Sequence, residues 1–350
     1  MSVNLFETRT MMEIVEEGRK DNPSVLRDTF FGKRKMFDTE RIDFDIVGKG
    51  NRKIAPFVNP KIGGKAVDRQ GYRTLSYKTP EVSPEMITTA EDLLKRRPGE
   101  AYFGAKSPNQ RAAEQLGEDL RYLDEIITRR EEAMCAEALF EGKVTVKGDG
   151  YNDVIEYWDG DDSPVDTALW LSDSYTLAQI RADLRRMGLD MVKNGGAMPV
   201  KLLCGTNVLN AIFAKMEADK TFDMSRIFTG QIAPKPEKIG VTTHGHFADA
   251  GLDIISYNGW YVNDSGVEVP FVPENKALLV APGADTVMAY GLVGILDEKQ
   301  NDVKLYAGDR VPSSWVQRKN PCGRVVQIKS APLPIIRRIH DFRVITATNA

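Results

Sequence analysis

Two histidines separated by one residue, His244 and His246, are the side chains best placed to perform chemistry. On a strand, alternate side chains share one face, so both imidazoles could bind the same metal ion. Gly245 lies between them, and the third histidine, His340, is far away in the sequence. With an acid such as Asp249, the pair would fit a cytosolic metal-dependent hydrolase, which stays open as one alternative. A loop with two polar aromatic side chains is the simpler interpretation.

Other patterns with chemical potential are incomplete. Residues 159–162 (DGDD) resemble the start of a calcium loop, but Trp170 stands at the twelfth position, where a glutamate is expected. The phosphate-binding GxxxxGK[ST] motif, a GxGxxG that opens a helix and the GxSxG nucleophile motif are absent. Cys135 and Cys204 lie in apolar patterns typical of small buried side chains. We therefore expect no enzymatic activity, no catalytic residue, no cofactor and no metal site.

The composition is that of a globular chain that stays in a reducing compartment. The 350 residues are 42% hydrophobic and 28% charged, with a formal net charge of -3. Three cysteines without CxxC spacing argue against a secreted disulfide scaffold. No apolar stretch of about 18 residues is present, and the acidic first 20 residues do not resemble a signal peptide. We expect no membrane association.

Residues 108–142 form the longest helical pattern and would position much of the remaining chain. Its apolar residues recur at three- and four-residue steps: Ala112, Leu116, Leu120, Leu123, Ile127, Met134 and Ala138. The remaining positions carry nine acids against four arginines. The pattern predicts a helix of about 50 Å with one buried side and acidic exposed faces. Glu118, Glu125 and Glu132 are the candidate contact residues on it.

Residues 49–78 have the opposite charge, with eight bases against the single acid Asp68. The pattern predicts a long hairpin that turns near residues 60–64 and has too few large apolar residues for its own core. Such a hairpin should lie on another surface: nucleic acid, the rest of the chain, or a second copy of it. Charge complementarity with the acidic helix favours a second copy. The candidate contact residues on the hairpin are Lys61, Lys65, Arg69 and Arg73.

The remaining patterns predict an α+β organisation. Ile42, Phe44 and Ile46 alternate with acids, as in a half-buried strand. Thr176 is a plausible cap for a helix, and residues 263–266 (NDSG) predict a hairpin turn. Strands and helices alternate over residues 166–325, and the strand-rich end of the chain is expected to return to the domain of the long helix.

Several segments, spread in order over most of the chain, resemble the lambda-like family of phage major capsid proteins. They are residues 26–31 (LRDTFF), 37–40 (FDTE), 55–60 (APFVNP), 82–86 (VSPEM), 271–275 (FVPEN) and 327–333 (QIKSAPL), together with Gly63, Gly64, Gly71, Thr79-Pro80 and Tyr290-Gly291. The resemblance implies an α+β fold of the Hong Kong 97 type. Its parts would be an N-terminal arm (1–48), an extended loop (49–88), a peripheral domain with a long spine helix (89–165), an axial domain (166–325) and return strands (326–350).

The resemblance also implies a function. The chain would be the major capsid protein of a tailed double-stranded DNA phage or prophage, forming hexamers and pentamers of an icosahedral shell. It would occur in the host cytoplasm during assembly and then in the virion, with scaffold, portal and decoration proteins and non-specifically packaged DNA as possible partners. The arm is expected to pivot as the shell expands. An encapsulin-like nanocompartment shell and a basic nucleic-acid-binding hairpin stay as further alternatives.

Overall fold

The computed structural model shows two compact units, each assembled from three separate stretches of the chain. The first comprises Met1–Ile42, Ser76–Glu132 and Met288–Pro334, and the second comprises Asp43–Leu75, Ala133–Val287 and Ile335–Ala350. The structure describes residues 6–18, 24–47, 54, 71–95, 107–148, 151–158, 163–218, 235–238, 240–247, 250–297, 302–319 and 321–349. Within these ranges, no helix combines the length and apolar composition needed to cross a membrane.

Six α-helices and 21 strands are present in the described ranges. The helices are α1 (Thr8–Gly18), α2 (Leu26–Phe30), α3 (Ala90–Leu94), α4 (Pro108–Glu141), α5 (Leu177–Lys193) and α6 (Thr206–Ala218). The strands are β1 (Arg34–Met36), β2 (Arg41–Val47), β3 (Tyr72–Lys78), β4 (Glu85–Thr89), β5 (Lys143–Gly148), β6 (Tyr151–Glu156), β7 (Val165–Ala168), β8 (Lys201–Cys204), β9 (Lys235–Lys238), β10 (Val241–Phe247), β11 (Leu252–Tyr257), β12 (Trp260–Val262), β13 (Glu268–Pro270), β14 (Lys276–Val280), β15 (Thr286–Tyr290), β16 (Leu292–Asp297), β17 (Asp302–Ala307), β18 (Val311–Gln317), β19 (Gly323–Lys329), β20 (Pro332–Ile336) and β21 (Phe342–Ala347).

The core of the first unit forms where α1 and an antiparallel sheet pack on α4. α1 buries Met11 and Val15 in this core, and the sheet has the order β18-β19-β4. The α4 side chains in the same cluster are Leu116, Leu120, Leu123 and Ile127. These four residues follow the three- and four-residue steps that the sequence predicts for the apolar stripe.

The second unit contains a seven-stranded mixed sheet with the order β7-β21-β14-β8-β11-β10-β9. Alternate side chains of β8, Leu202 and Cys204, join a cluster with the buried sides of α5 and α6. Thr176 caps α5 in a reciprocal capping box with Gln179, which satisfies backbone N–H groups that a helix start leaves open. The predicted helix cap is therefore confirmed.

Other predicted elements are confirmed as well. The long helix ends at Glu141, one residue before the predicted stop. β2 buries its apolar positions and exposes the positions between them. The turn between β12 and β13 is held by the Asn263 side chain, which accepts hydrogen bonds from the N–H groups of Ser265 and Val267 at 3.0 Å each.

Candidate contact surfaces and a buried ion cluster

The structure describes one of the four basic residues predicted for the contact. Arg73 is exposed on β3, and its guanidinium donates a 3.4 Å hydrogen bond to the carbonyl of Glu156. Lys61, Lys65 and Arg69 lie outside the described residues. At this distance and exposure the Arg73 bond to a backbone carbonyl is weak, so it does not keep the guanidinium from pairing with a carboxylate.

Two of the three predicted glutamates lie at accessible positions on α4. Glu118 is exposed, and Glu125 is half-buried between two arginines of its own helix. Glu125 lies 3.7 Å from Arg121 Nε and 3.2 Å from Arg129 Nη2, at the four-residue spacing that brings helical side chains together. Such pairs contribute only about 0 to 1 kcal/mol each, so they do not prevent a new contact.

The third glutamate requires a correction. Glu132 is 2% exposed, and its carboxylate is used inside the subunit, so it does not belong to an exposed acidic face. Its Oε1 accepts hydrogen bonds from the N–H groups of Val25 at 2.9 Å and Leu26 at 2.6 Å, and its Oε2 accepts one from Arg27 N–H at 3.0 Å. The start of α2 therefore covers the part of α4 that carries Glu132.

The predicted acidic faces of α4 are wrong for three further residues. Asp119, Asp124 and Glu131 are also buried. Asp119 accepts hydrogen bonds from Gln115 at 2.6 Å and Thr88 at 3.0 Å. Because a buried carboxylate is costly unless it is paired or hydrogen-bonded, each of these acids must have a partner elsewhere in the fold.

Glu131 is the centre of a buried ion cluster. It pairs with Arg27, whose Nη1 lies 2.7 Å from Oε2, and with Arg310, whose Nη1 and Nη2 lie 2.6 and 3.0 Å from Oε1 and Oε2. Arg310 also donates from Nε to Asp124 Oδ1 at 2.7 Å. Its remaining contacts include Thr128 Oγ1 and Ser330 Oγ, both at 3.3 Å. One carboxylate thus joins arginines from two distant parts of the sequence.

Burial and ion pairing shift the pKa values of these side chains in opposite directions. Burial opposes ionisation of Glu131, but Arg310 and Arg27 outweigh it, so the pKa of Glu131 is lowered. Burial dominates at Glu132 and raises its pKa, although three backbone N–H groups favour the anion. Burial also disfavours the charges of Arg27 and Arg310, but Glu131 raises the pKa of both guanidinium groups. The cluster therefore holds its arginines and Glu131 in the charged state.

The sequence carried a signal for this cluster that the prediction missed. Asp124, Thr128 and Glu131 are spaced by four and three residues, so they share one side of α4. These steps are the same as those of the apolar residues that predicted the buried side of α4. Polar residues at such steps indicate a second, polar buried side when arginines from other elements can pair with them.

The two histidines of the alternative metal-site interpretation, His244 and His246, do not share one face of the sheet. A register shift between Thr243 and Gly245 makes β10 irregular at His244. His244 Nε2 lies 2.7 Å from Ser256 Oγ, whereas His246 Nδ1 lies 2.7 Å from Asp253 Oδ1. Residues 253 and 256 are three apart on one strand, so the two histidine partners lie on opposite faces of the sheet. The described residues contain no group of three or more potential metal ligands.

Cys135 and Cys204 are buried, as their apolar patterns predict. Burial raises the pKa of the Cys204 thiol to about 12, so the nucleophilic thiolate is scarce at neutral pH. This environment is typical of an inert core cysteine.

Comparison with known proteins gives nearly full-length similarity to phage head proteins. The family model described as phage major capsid protein E matches residues 7–347. The major capsid protein of Enterobacteria phage P21 is 23% identical over 348 residues, covering 98% of this chain and 99% of the relative. That of Escherichia phage lambda is 22% identical over 353 residues, covering 97% and 98%.

Two crystal structures resemble the fold over nearly the whole chain. A prophage capsid protein from Escherichia coli CFT073 has a TM-score of 0.70 at 17% identity and covers 99% of this chain and 100% of that one. A phage-related protein from Bordetella bronchiseptica has a TM-score of 0.52 at 12% identity and covers 96% of each chain.

Proposed function

The chain belongs to the phage major capsid protein E family and has the Hong Kong 97-type fold, and from this premise we propose how it builds a phage head. It is the major capsid protein of a tailed phage or prophage, and copies of it assemble into the hexamers and pentamers of an icosahedral shell. The observation that carries this function is the family match over residues 7–347. The shell encloses double-stranded DNA, which is bound without sequence preference.

The other properties follow from this role. The protein acts by assembly and not by catalysis, is present in the host cytoplasm during assembly and ends in the virion. Scaffold, portal and decoration proteins are its expected partners. The domains are the arm (1–48), the extended loop (49–88), the peripheral domain (89–165), the axial domain (166–325) and the return strands (326–350).

The contact between neighbouring subunits is electrostatic in part. The basic extended loop of one subunit, with Lys61, Lys65, Arg69 and Arg73, lies across α4 of its neighbour. Glu118 and Glu125 are the acids that meet it, and Glu132 is no longer included because its carboxylate already binds the start of α2. Each exposed ion pair contributes about 0 to 1 kcal/mol. Repetition over every copy of a symmetric shell makes such small contributions decide whether it closes.

A charge reversal tests this contact. We expect Lys61→Glu, Lys65→Glu, Arg69→Glu and Arg73→Glu together to lower the yield of particles and to change its salt dependence, because the loop would then repel the acidic helix. Particle yield is measured by sedimentation at low and high salt. The matched control replaces the same four residues by glutamine, which removes attraction without adding repulsion. Unchanged yield and salt sensitivity in the glutamate variant would refute the electrostatic contact.

The content of the particles tests the function itself. Particles are purified from cells that express the chain with its neighbouring phage genes, and are treated with nuclease before their content is extracted. We expect protected double-stranded DNA. A defined protein cargo in place of DNA would instead favour the nanocompartment alternative.

A further inference from the structure

The short helix α2 depends on a carboxylate from another element. It has five residues, and its N-cap, Val25, provides no side-chain hydrogen bond. A helix of this length does not form alone in water, and its first backbone N–H groups need acceptors. Glu132 of α4 supplies them, because its two oxygens accept the N–H groups of residues 25, 26 and 27. Glu132 thus performs the role that a capping side chain usually performs locally.

The side chain of Arg27 attaches the first turn of α2 to α4 at a second point. Its guanidinium is almost completely buried and donates to Glu131 at 2.7 Å and to Asp28 at 3.1 Å. The backbone of Arg27 binds Glu132 and its side chain binds the preceding residue, Glu131. A shift of the arm by one residue along α4 would therefore break both attachments. Two consecutive glutamates define one register for residues 24–31.

The attachment can be removed without leaving an unpaired charge at its centre. Glu131 also binds Arg310 through two hydrogen bonds of 2.6 and 3.0 Å. Loss of the Arg27 side chain therefore leaves the Glu131 carboxylate buried but still paired. Loss of Glu131 would instead leave two buried guanidinium groups without that carboxylate. Arg27 is the member of the cluster whose removal loosens the arm at the lowest cost to the fold.

We propose that Arg27, acting through Glu131 and together with Glu132, is a positioning residue for shell assembly. It holds arm residues 24–31 at one place on α4, so that β1, which follows at Arg34–Met36, leaves this point in a fixed direction. A subunit without this anchor folds but does not close shells efficiently. Movement of the arm during shell expansion is then confined to residues outside 24–31, and the whole arm does not pivot as one body. This proposal rests on the proposed function.

The test compares Arg27→Met with a matched control, Arg186→Met. The control removes an arginine of α5 that is about half exposed and pairs weakly with Asp183 at 3.7 Å and with Asp190 at 3.8 Å. Hydrogen exchange is measured for peptides that cover residues 24–31 and for peptides of α5 and β14, and closed shells are counted after assembly. In Arg27→Met we expect exchange of residues 24–31 to accelerate by about tenfold or more while α5 and β14 are unchanged. We expect closed shells to fall by about tenfold, and the control to match the wild type.

Arg27→Lys separates positioning from charge. Lysine keeps the positive charge but lacks the planar donor fork, so it should restore shell yield and arm protection only in part. Glu132→Gln loosens the same residues from the other side, because a side-chain amide offers only one acceptor oxygen to three N–H groups. It therefore provides the test if Arg27→Met does not fold.

Three results would overturn the proposal. One is unchanged exchange of residues 24–31 in Arg27→Met. Another is normal shell yield from a subunit whose arm exchanges rapidly. The last is equal acceleration in the arm, α5 and β14, which would mean that Arg27 only stabilises the fold. If the wild type itself forms no shells, the proposed function fails, while the exchange data still decide whether the anchor exists.

Discussion

Removal of charges one at a time from the buried cluster should destabilise the first unit, which contains the whole cluster, in a fixed order. The three variants are Glu131→Gln, Arg310→Met and Arg27→Met. Glu131→Gln should lower the free energy of unfolding the most, by about 3 to 5 kcal/mol, because two buried guanidinium groups lose their shared carboxylate. Arg27 and Arg310 lie 2.7 and 2.6 Å from that carboxylate, so both guanidinium groups would lose a close ion pair.

The two arginine variants should be less damaging, and they should differ from each other. Arg310→Met deprives Asp124 of a 2.7 Å ion pair and should cost about 3 kcal/mol. Arg27→Met removes one charged hydrogen bond from Glu131, which keeps both bonds from Arg310, and should cost about 1 to 3 kcal/mol. The last value is tolerable for a protein of ordinary stability, about 5 to 15 kcal/mol.

Urea unfolding followed by circular dichroism and by hydrogen exchange of first-unit peptides measures these differences. The double variant Glu131→Gln/Arg27→Met should cost less than the sum of its single changes, since both remove one interaction. Leu279 is buried in the second unit and is remote in sequence from the cluster. The stability lost in Leu279→Ala should therefore simply add to the stability lost in each cluster variant. A loss below about 1 kcal/mol for Glu131→Gln, or Arg27→Met as the most damaging change, would refute the reasoning.

Two further predictions concern the second unit. Gly142→Ala should lower the thermal unfolding midpoint by several degrees, because Gly142 has φ 69° and a Cβ there would overlap the Trp158 ring. The control is Gly148→Ala, because a Cβ at Gly148 would meet open space. Burial lowers the pKa of His244, so its contribution to stability is present above the ordinary value of 6.5 and is lost as the pH falls below it. His244→Gln should reduce the difference in urea stability between pH 8 and pH 5.5, and an unchanged difference would contradict this assignment.

The long helix could be predicted from sequence because its signal is local. Thirty-four residues of α4 repeat apolar side chains at the helical period, and no distant contact is needed to recognise it. The cap at Thr176 and the turn at Asn263 are likewise fixed by residues within four positions of one another. Such elements are confirmed with nearly the predicted bounds.

The charge distribution of α4 could not be predicted in the same way. The spacing of Asp124, Thr128 and Glu131 can indicate one buried polar side of α4. Glu131 is separated from Arg27 by 104 residues and from Arg310 by 179, however, so the spacing does not reveal which arginines pair with it. Without those partners, an acidic residue on a helix is expected in water, where its charge costs nothing to solvate. The same limit applies to His244 and His246, whose common face depends on a regular strand and is lost at the bulge in β10.

Electron microscopy of the purified full-length protein, combined with sedimentation, tests shell formation most directly. The chain is expressed alone and together with its neighbouring phage genes, and both preparations are imaged over a range of concentrations. We expect closed shells, or free hexamers and pentamers that close when the neighbouring genes are present. A monodisperse monomer in both preparations, even at high protein concentration, would contradict the assignment as a shell subunit.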